Sequence, residues 1–378
     1  MVYASTIFLP TEHLTMESPT LRHWTVSEIR CLVEEKFNKR PCWLQIQIAL
    51  ALYAGKDVIA CAATGAGKTL SFWIPLLMAL EGGQDKMTIV VTPLNLLGKQ
   101  NVKDLEKAGL TAIAVSGENT STETFKVSSR GTSRREKCLP ICQDVEDGKY
   151  NVVIINPELL MGSEVETLWR KPTVTGRLLN LIFDEGHCIS QWGKFRDEYR
   201  HVGLLQYLIP KRIPFYTASA TFPRSVLHDV HNVLHLRPGE TEHILRSNDR
   251  PEISLMARGL VYPAKSFQDL AFLIPDSFKE GDPPPPKFLI FFDNTKEAER
   301  AARYLRRRLP QSLHENIKYF HSTMTPHYRE DELDAMKGSH TWGLCATDAF
   351  GMVCDLYGSR KLYHFCSPII RLLGDGPP

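Results

Sequence analysis

The segment DVIACAATGAGKT (57–69) constrains this chain more than any other part of it. A β-rich run, DVIACAA (57–63), empties without a spacer into TGAGKT, and an apolar helical pattern opens at Leu70. Glycine has no Cβ, so Gly65 and Gly67 let successive backbone N–H groups turn toward one point. At a helix N-terminus such a turn is an anion nest, and the spacing predicts that it holds phosphate. Lys68 adds a point charge for the β- and γ-phosphates, and Thr69 offers a hydroxyl to Mg²⁺. Thr64, Gly65, Ala66, Gly67, Lys68 and Thr69 are therefore the expected nucleotide-binding residues, with ATP and Mg²⁺ as ligands. Ala62 departs from the general pattern, which has glycine there.

The rest of the chain supplies the scaffold such a turn needs. Near-continuous Val/Ile/Leu/Phe runs recur at MTIVVTP (87–93), YNVVIINP (150–157), LLNLIFDE (178–185) and IPFYTASA (213–220). Runs of this kind fit strands buried on both faces. Helical patterns such as LSFWIPLLMALEGG and LLGKQNVKDLEKAG lie between them, so the fold class is α/β, a parallel sheet with helices on both sides. We expect an N-terminal extension over 1–24, a first domain over 25–245 and a smaller second α/β domain over 246–378. In the second, ISLMARGLVY reads as a strand and SFQDLAFLI as a helix. The prolines of GDPPPP (281–286) fit neither, and mark a surface loop inside that domain. After it come strands KFLIFF, IKYFHS and WGLCATD, alternating with helices KEAERAARYLRRRL and PHYREDELDAMKG. The stretch 117–149 is polar and weakly patterned, and reads as an exposed, partly ordered insertion.

Composition bounds the function classes. A chain of 378 residues is long enough for two ordinary domains, and 43% hydrophobic with 23% charged residues is a globular balance. The formal net charge is only +2, so any nucleic-acid surface must be a local patch. Nine cysteines are an odd number spread through apolar segments, which suits reduced thiols rather than a disulfide framework. Cys138 and Cys142 form a lone C-x-x-x-C, short of the four ligands that a structural zinc requires. The start MVYASTIFLPTEHL lacks a basic region, and its apolar run is cut by Pro10; it does not read as a signal peptide. A soluble nuclear or cytoplasmic protein is expected.

Acidic and small polar residues complete the candidate site. In LIFDEGH (181–187), Asp184 and Glu185 end a buried strand. Asp184 is placed to hold Mg²⁺ and Glu185 to activate or orient an attacking water. Adjacent carboxylates after a strand also suit a helix N-terminus. Ser219, Ala220 and Thr221 end a third strand, and ligands of open α/β sheets sit outside the carboxyl ends of the strands.

Taken in order, AATGAGKT, VVTPLNLL, NPELL, DEGHCISQWG, ASAT and ATDAFGMVCD resemble the RecQ-type superfamily-two DNA helicases, from about Phe37 to Asp355. The resemblance implies two RecA-like domains with ATP in the cleft between them, and 3′-to-5′ translocation on single-stranded or forked DNA. By position, Gln45 is similar to the family's adenine-contacting glutamine, although RPCWLQ departs from its usual surroundings. His187 is similar to the last residue of the DExH box, which couples hydrolysis to movement, and Gly186 replaces the usual alanine. Ser219 and Thr221 resemble the motif that links the domains. Trp192 and Phe195 resemble an aromatic-rich loop that senses single-stranded DNA, with Arg196 as a further phosphate contact. That loop is one residue shorter than the family's. A pair of core aromatics is the plainer reading of Trp192 and Phe195. Thr347, Asp348 and Asp355 resemble the residues of the DNA- and ribose-contacting motif V, with Gly351 in place and Val353 where a second glycine is usual. HSTM (321–324) is a looser match to a backbone-contacting element. The basic run RYLRRRL is either a DNA patch or a solvated helix face.

The family's next segment, Q-x-x-G-R-x-G-R, carries arginines that reach the γ-phosphate. Here the chain reads KLYHFCSPIIRLLGDGPP and stops, and Arg371 is at most a faint echo. Three expectations therefore stay open: a RecQ-type helicase represented by a shortened chain, a nucleotide- and DNA-binding protein with little turnover, and an RNA-directed ATPase of the DEAD/DEAH sort.

Overall fold

The computed structural model describes residues 22–93, 95–115, 141–193, 196–249, 256–257, 259–338, 340–347, 350 and 361–365. The chain divides into two compact units, residues 1–91 with 102–247 and residues 92–101 with 248–378.

The first unit is built on a seven-stranded sheet. Its strands are β1 (Asp57–Cys61), β2 (Met87–Val91), β3 (Ala112–Val115), β4 (Val152–Ile155), β5 (Leu178–Phe183), β6 (Phe215–Ser219) and β7 (Thr241–Leu245). They lie in the order β3-β4-β2-β5-β6-β1-β7, and every neighbouring pair is parallel. Strands β1, β2, β4 and β6 are buried along their whole length, as their unbroken apolar runs require. Alternate residues feed two cores. Val58, Ala60, Val90, Ile182 and Tyr216 pack with helices α1 (Val26–Phe37), α2 (Trp43–Tyr53) and α3 (Lys68–Glu81). Ile59, Ile89, Val91, Phe183 and Phe215 face the opposite layer. Sequence reading did not mark β3 and β7 as strands; both are sheet edges, only partly buried, and lack long apolar runs.

Local chemistry starts the helices where the pattern expects them. Thr25 caps α1 in a reciprocal box with Glu28, and Asn38 ends it in the left-handed region at φ 50°. Helix α4 (Asn95–Lys107) follows β2. Asp57, the first residue of β1, is fully buried; its carboxylate accepts from the Phe215 N–H at 2.9 Å and from Arg237 Nε at 2.5 Å and Nη2 at 2.7 Å.

The second unit holds a four-stranded parallel sheet, with β8 (Phe288–Phe292), β9 (Ile317–Phe320), β10 (Gly343–Ala346) and β11 (Lys361–Phe365) in the order β11-β8-β10-β9. Helix Thr295–Arg306, capped by Asn294, lays Ala298, Ala301, Ala302 and Leu305 into its core. Two elements differ from expectation. Among the described residues of ISLMARGLVY there is no strand, and Val261 and Tyr262 are exposed. SFQDLAFLI forms two 3₁₀ turns, Ala264–Ser266 and Gln268–Leu273, rather than an α-helix. Phe267 stands between them at φ 58°, which interrupts any continuous α-helix. Residues 283–287 are irregular and largely exposed, immediately ahead of β8. Most of 117–149 lies outside the described residues, as does Cys138; Ile141–Glu146 is helical. No helix among the described residues is long and apolar enough to cross a membrane.

Candidate nucleotide site

Strand register brings three sequence motifs to one edge. Cys61 pairs with Ser219 and Phe183 with Thr217, so the turns leaving β1, β5 and β6 emerge side by side at the carboxyl ends of the strands. That is where an open parallel sheet binds its ligand.

After β1 the chain makes an exposed turn. Gly65 at φ 85° and Gly67 at φ 74° take left-handed conformations that a side chain would strain, and α3 begins at Lys68. Thr64, Gly65, Ala66, Gly67 and Thr69 are all exposed, so the turn into α3 is open to solvent. Lys68 folds its Nζ back onto the carbonyls of Ala62 (2.9 Å) and Ala63 (3.3 Å). Gln45 is buried and bonded to this turn: its Nε2 donates to the Gly67 carbonyl at 2.8 Å, and its Oε1 accepts from the Cys42 N–H at 2.7 Å. Ser71 Oγ donates to the Lys68 carbonyl at 2.5 Å and meets Tyr216 Oη at 2.7 Å, tying the first turn of α3 to β6.

After β5, Asp184 anchors through its N–H on the Val91 carbonyl, and its carboxylate accepts from the Glu185 N–H at 3.0 Å. Burial and the neighbouring Glu185 push the Asp184 carboxyl up to about 7, with that N–H, Lys68 and His187 pulling the other way. Such a carboxyl is poorly compensated by the protein, and a dication beside it would favour its charged form. Glu185 sits at φ 49°, a conformation that costs a non-glycine residue about 1–3 kcal/mol. His187 Nδ1 lies 2.8 Å from Ser219 Oγ and 3.3 Å from Glu185 Oε2. Ser219 Oγ in turn bonds the Thr221 carbonyl and accepts from the Thr221 N–H, each at 3.1 Å. Acid turn and strand end are thus joined through one hydroxyl. An exposed glycine turn at a helix start, a lysine and a half-buried carboxyl raised by its neighbours fit a triphosphate with Mg²⁺.

The residues assigned to nucleic acid fall differently. Trp192 is half-buried against the core, and its ring meets Tyr199 edge-on at 6.4 Å. Arg196 lies 5.4 Å from both rings and donates from Nε to Glu158 Oε1 at 2.5 Å. Its charge is therefore paired inside the unit, by a glutamate of the NPELL segment that lies 38 positions away and that the sequence did not link to it. Phe195, Asp348, Gly351, Val353, Asp355 and Arg371 lie outside the described residues. Thr347 follows β10, its N–H on the Phe320 carbonyl; His321 follows β9 and is buried, with Nδ1 2.8 Å from Thr323 Oγ1. In the basic run, Arg303 pairs with Glu299, Arg306 donates to the Ile317 carbonyl, and Arg308 bonds the Ile274 carbonyl and Asp276. Arg306 and Arg308 thus tie this helical run to other segments of the second unit, whereas Arg303 pairs within its own helix.

Residues 43–230 match the DEAD/DEAH box helicase family. The ATP-dependent helicase SGS1 of Saccharomyces cerevisiae is 27% identical over 330 residues, 86% of this chain and 20% of that one. The ATP-dependent DNA helicase RecQ of Pasteurella multocida is 28% identical over 327 residues, again 86% of this chain and 45% of the relative. The chain thus spans less than half the length of either. Among solved structures, the DUF1998 helicase MrfA bound to DNA superposes with a TM-score of 0.66 at 13% identity, over 90% of this chain and 44% of that one. At that identity the likeness shows the fold alone: RecA-like parallel sheets flanked by helices.

Proposed function

We propose, from the match of residues 43–230 to the DEAD/DEAH box helicase family and the chain's similarity to RecQ-type helicases, that it hydrolyses ATP to drive 3′-to-5′ movement on DNA. The observation that carries the reading is the meeting of Lys68, Asp184, Glu185, His187 and Ser219 at one strand edge, closed by the 2.8 Å contact of His187 with Ser219.

The backbone N–H groups of residues 65–69 would hold the triphosphate, with Lys68 exchanging the Ala62 and Ala63 carbonyls for phosphate oxygens. Thr69 and Asp184 would hold Mg²⁺, which when bound neutralises charge across the phosphates. Glu185 orients and deprotonates the attacking water at its half-buried carboxylate. His187 shares Nδ1 between Glu185 and Ser219, so a change at the acid turn reaches Thr221 through two hydrogen bonds. Phe195, Thr347 and Asp348 are the proposed contacts to single-stranded or forked DNA; Trp192 and Arg196 join them only by leaving Tyr199 and Glu158, which hold them inside the unit. Phosphate contacts make that affinity fall steeply with salt. A DNA partner puts the protein's work in the nucleus, or in the cytoplasm of a cell that lacks one.

DNA-stimulated ATP hydrolysis by the purified chain, beside Lys68→Ala and Glu185→Gln, tests this. Turnover in the parent that both variants lose supports it. A parent no faster than Glu185→Gln, yet still binding ATP, leaves a binding protein. Stimulation by RNA and not by DNA reassigns the partner.

A further inference from the structure

We propose that Thr217 is a positioning residue for the acid turn, and that residue 186 is glycine because Thr217 occupies the space a side chain would need. The inference rests on the reading of Asp184 and Glu185 given above.

Gly186 joins β5 to the helix His187–Gln191. Its backbone gives no reason for glycine: φ −56° and ψ −19° are open to every L-residue. The reason is steric. A Cβ at position 186 would lie 1.9 Å from Thr217 Oγ1, 3.2 Å from Thr217 Cβ and 3.1 Å from Phe222 Cζ. Rotating the hydroxyl relieves only the first of these contacts. The alanine usual in the resembled family therefore fits only if Thr217 turns its hydroxyl away and the turn and its neighbours shift by a few tenths of an ångström, so the two positions depend on each other.

Thr217 is fully buried in β6, and its Oγ1 has no hydrogen-bond partner among the described residues. A hydroxyl kept in that state is costly where alanine or valine would pack, so packing alone does not account for it. What it does is set a distance. The acid turn rests on three consecutive residues of β6: the Thr217 side chain against Gly186, the Ala218 carbonyl accepting from the Gly186 N–H at 2.8 Å, and Ser219 Oγ at His187. Glu185 and His187 flank Gly186, and Glu185 is already held at positive φ. Displacing the Gly186 backbone swings both side chains, and Asp184 with them.

The test compares the parent with Gly186→Ala, Thr217→Ala and the double variant. It reads kcat and KM for MgATP with single-stranded DNA, the Mg²⁺-dependent part of the affinity for a fluorescent N-methylanthraniloyl-ATP, and thermal melting. Overpacking makes Gly186→Ala lose about tenfold or more in kcat and in the Mg²⁺-dependent affinity, with Mg²⁺-free affinity retained. Adding Thr217→Ala returns both to within about threefold of the parent. Thr217→Ala alone lowers kcat with KM held. A folded Gly186→Ala equal to the parent overturns the proposal, as does a double variant no better than Gly186→Ala. Should Gly186→Ala fail to fold, a parent-like kcat in Thr217→Ala overturns it. A parent that binds ATP without turning it over sinks the functional reading alone. The rescue pattern in Mg²⁺-dependent affinity then still decides the pair.

Discussion

Gln45 uses both ends of its side-chain amide inside the first unit, Nε2 on the Gly67 carbonyl at 2.8 Å and Oε1 on the Cys42 N–H at 2.7 Å. A Cβ at Gly67 would stand 2.5 Å from that Nε2, so the glycine serves the glutamine's approach as well as its own φ of 74°. The amide holds the glycine turn ahead of α3 from behind, 22 residues upstream of it.

This relationship predicts how nucleotide affinity responds to mutation. Gln45→Glu sets a carboxylate against the Gly67 carbonyl and removes the donor. We expect nucleotide affinity to fall about tenfold, the worth of one hydrogen bond to the turn. If the amide acts by holding the turn, ATP and GTP lose equally in titrations of the fluorescent nucleotides. A loss confined to ATP would mean a direct adenine contact instead.

Arg196 and Glu158 form a pair in which each side chain is only 22% exposed, and Glu158 Oε2 is buried with no hydrogen-bond partner among the described residues. Removing either partner leaves the other charge stranded, so Glu158→Ala and Arg196→Ala should each destabilise the first unit. The double variant should recover part of that loss, with a coupling of about 1–3 kcal/mol in urea unfolding. Additive effects would show that the pair carries no mutual energy.

Asp57 and Arg237 close the other end of the sheet. With Asp57 fully buried and accepting four hydrogen bonds, Asp57→Ala strands the guanidinium and the Phe215 N–H. The expected cost is about 3–5 kcal/mol. A shift of the urea midpoint too small to resolve would contradict it.

The cap of α1 makes one contribution pH-dependent. The Thr25 N–H and hydroxyl, with Arg22, lower the Glu28 carboxyl from 4.5 to about 2. A depressed carboxylate adds stability that is fully present above 4.5 and is lost as pH falls through about 2. The melting-temperature gap between the parent and Glu28→Gln should therefore hold steady above 4.5 and close toward pH 2. A gap that widens on acidification would contradict the cap.

Much of this protein was legible in its sequence because the signals are local. Five buried strands read as apolar runs, since a strand covered on both faces has no polar side to show. The turn between β1 and α3 read from two glycines, a lysine and the strand before them. Edge strands β3 and β7 were not read as strands, because a half-covered strand carries no such run. SFQDLAFLI misled because apolar spacing of three and four suits an α-helix and a 3₁₀ turn alike until Phe267 adopts positive φ.

The strand-turn-helix at Gly65 and Gly67 that most constrained the fold was thus determined by sequence alone, and so was the place of the acids that follow β5. Only tertiary structure decided what supports them. Gln45 behind the turn, Thr217 beneath Gly186 and Glu158 at Arg196 come from strands and helices distant in the chain. Spacing along a chain records which residues share a turn or a face. Which side chain from another strand fills the space behind them is set by sheet order and register, and no local pattern carries that.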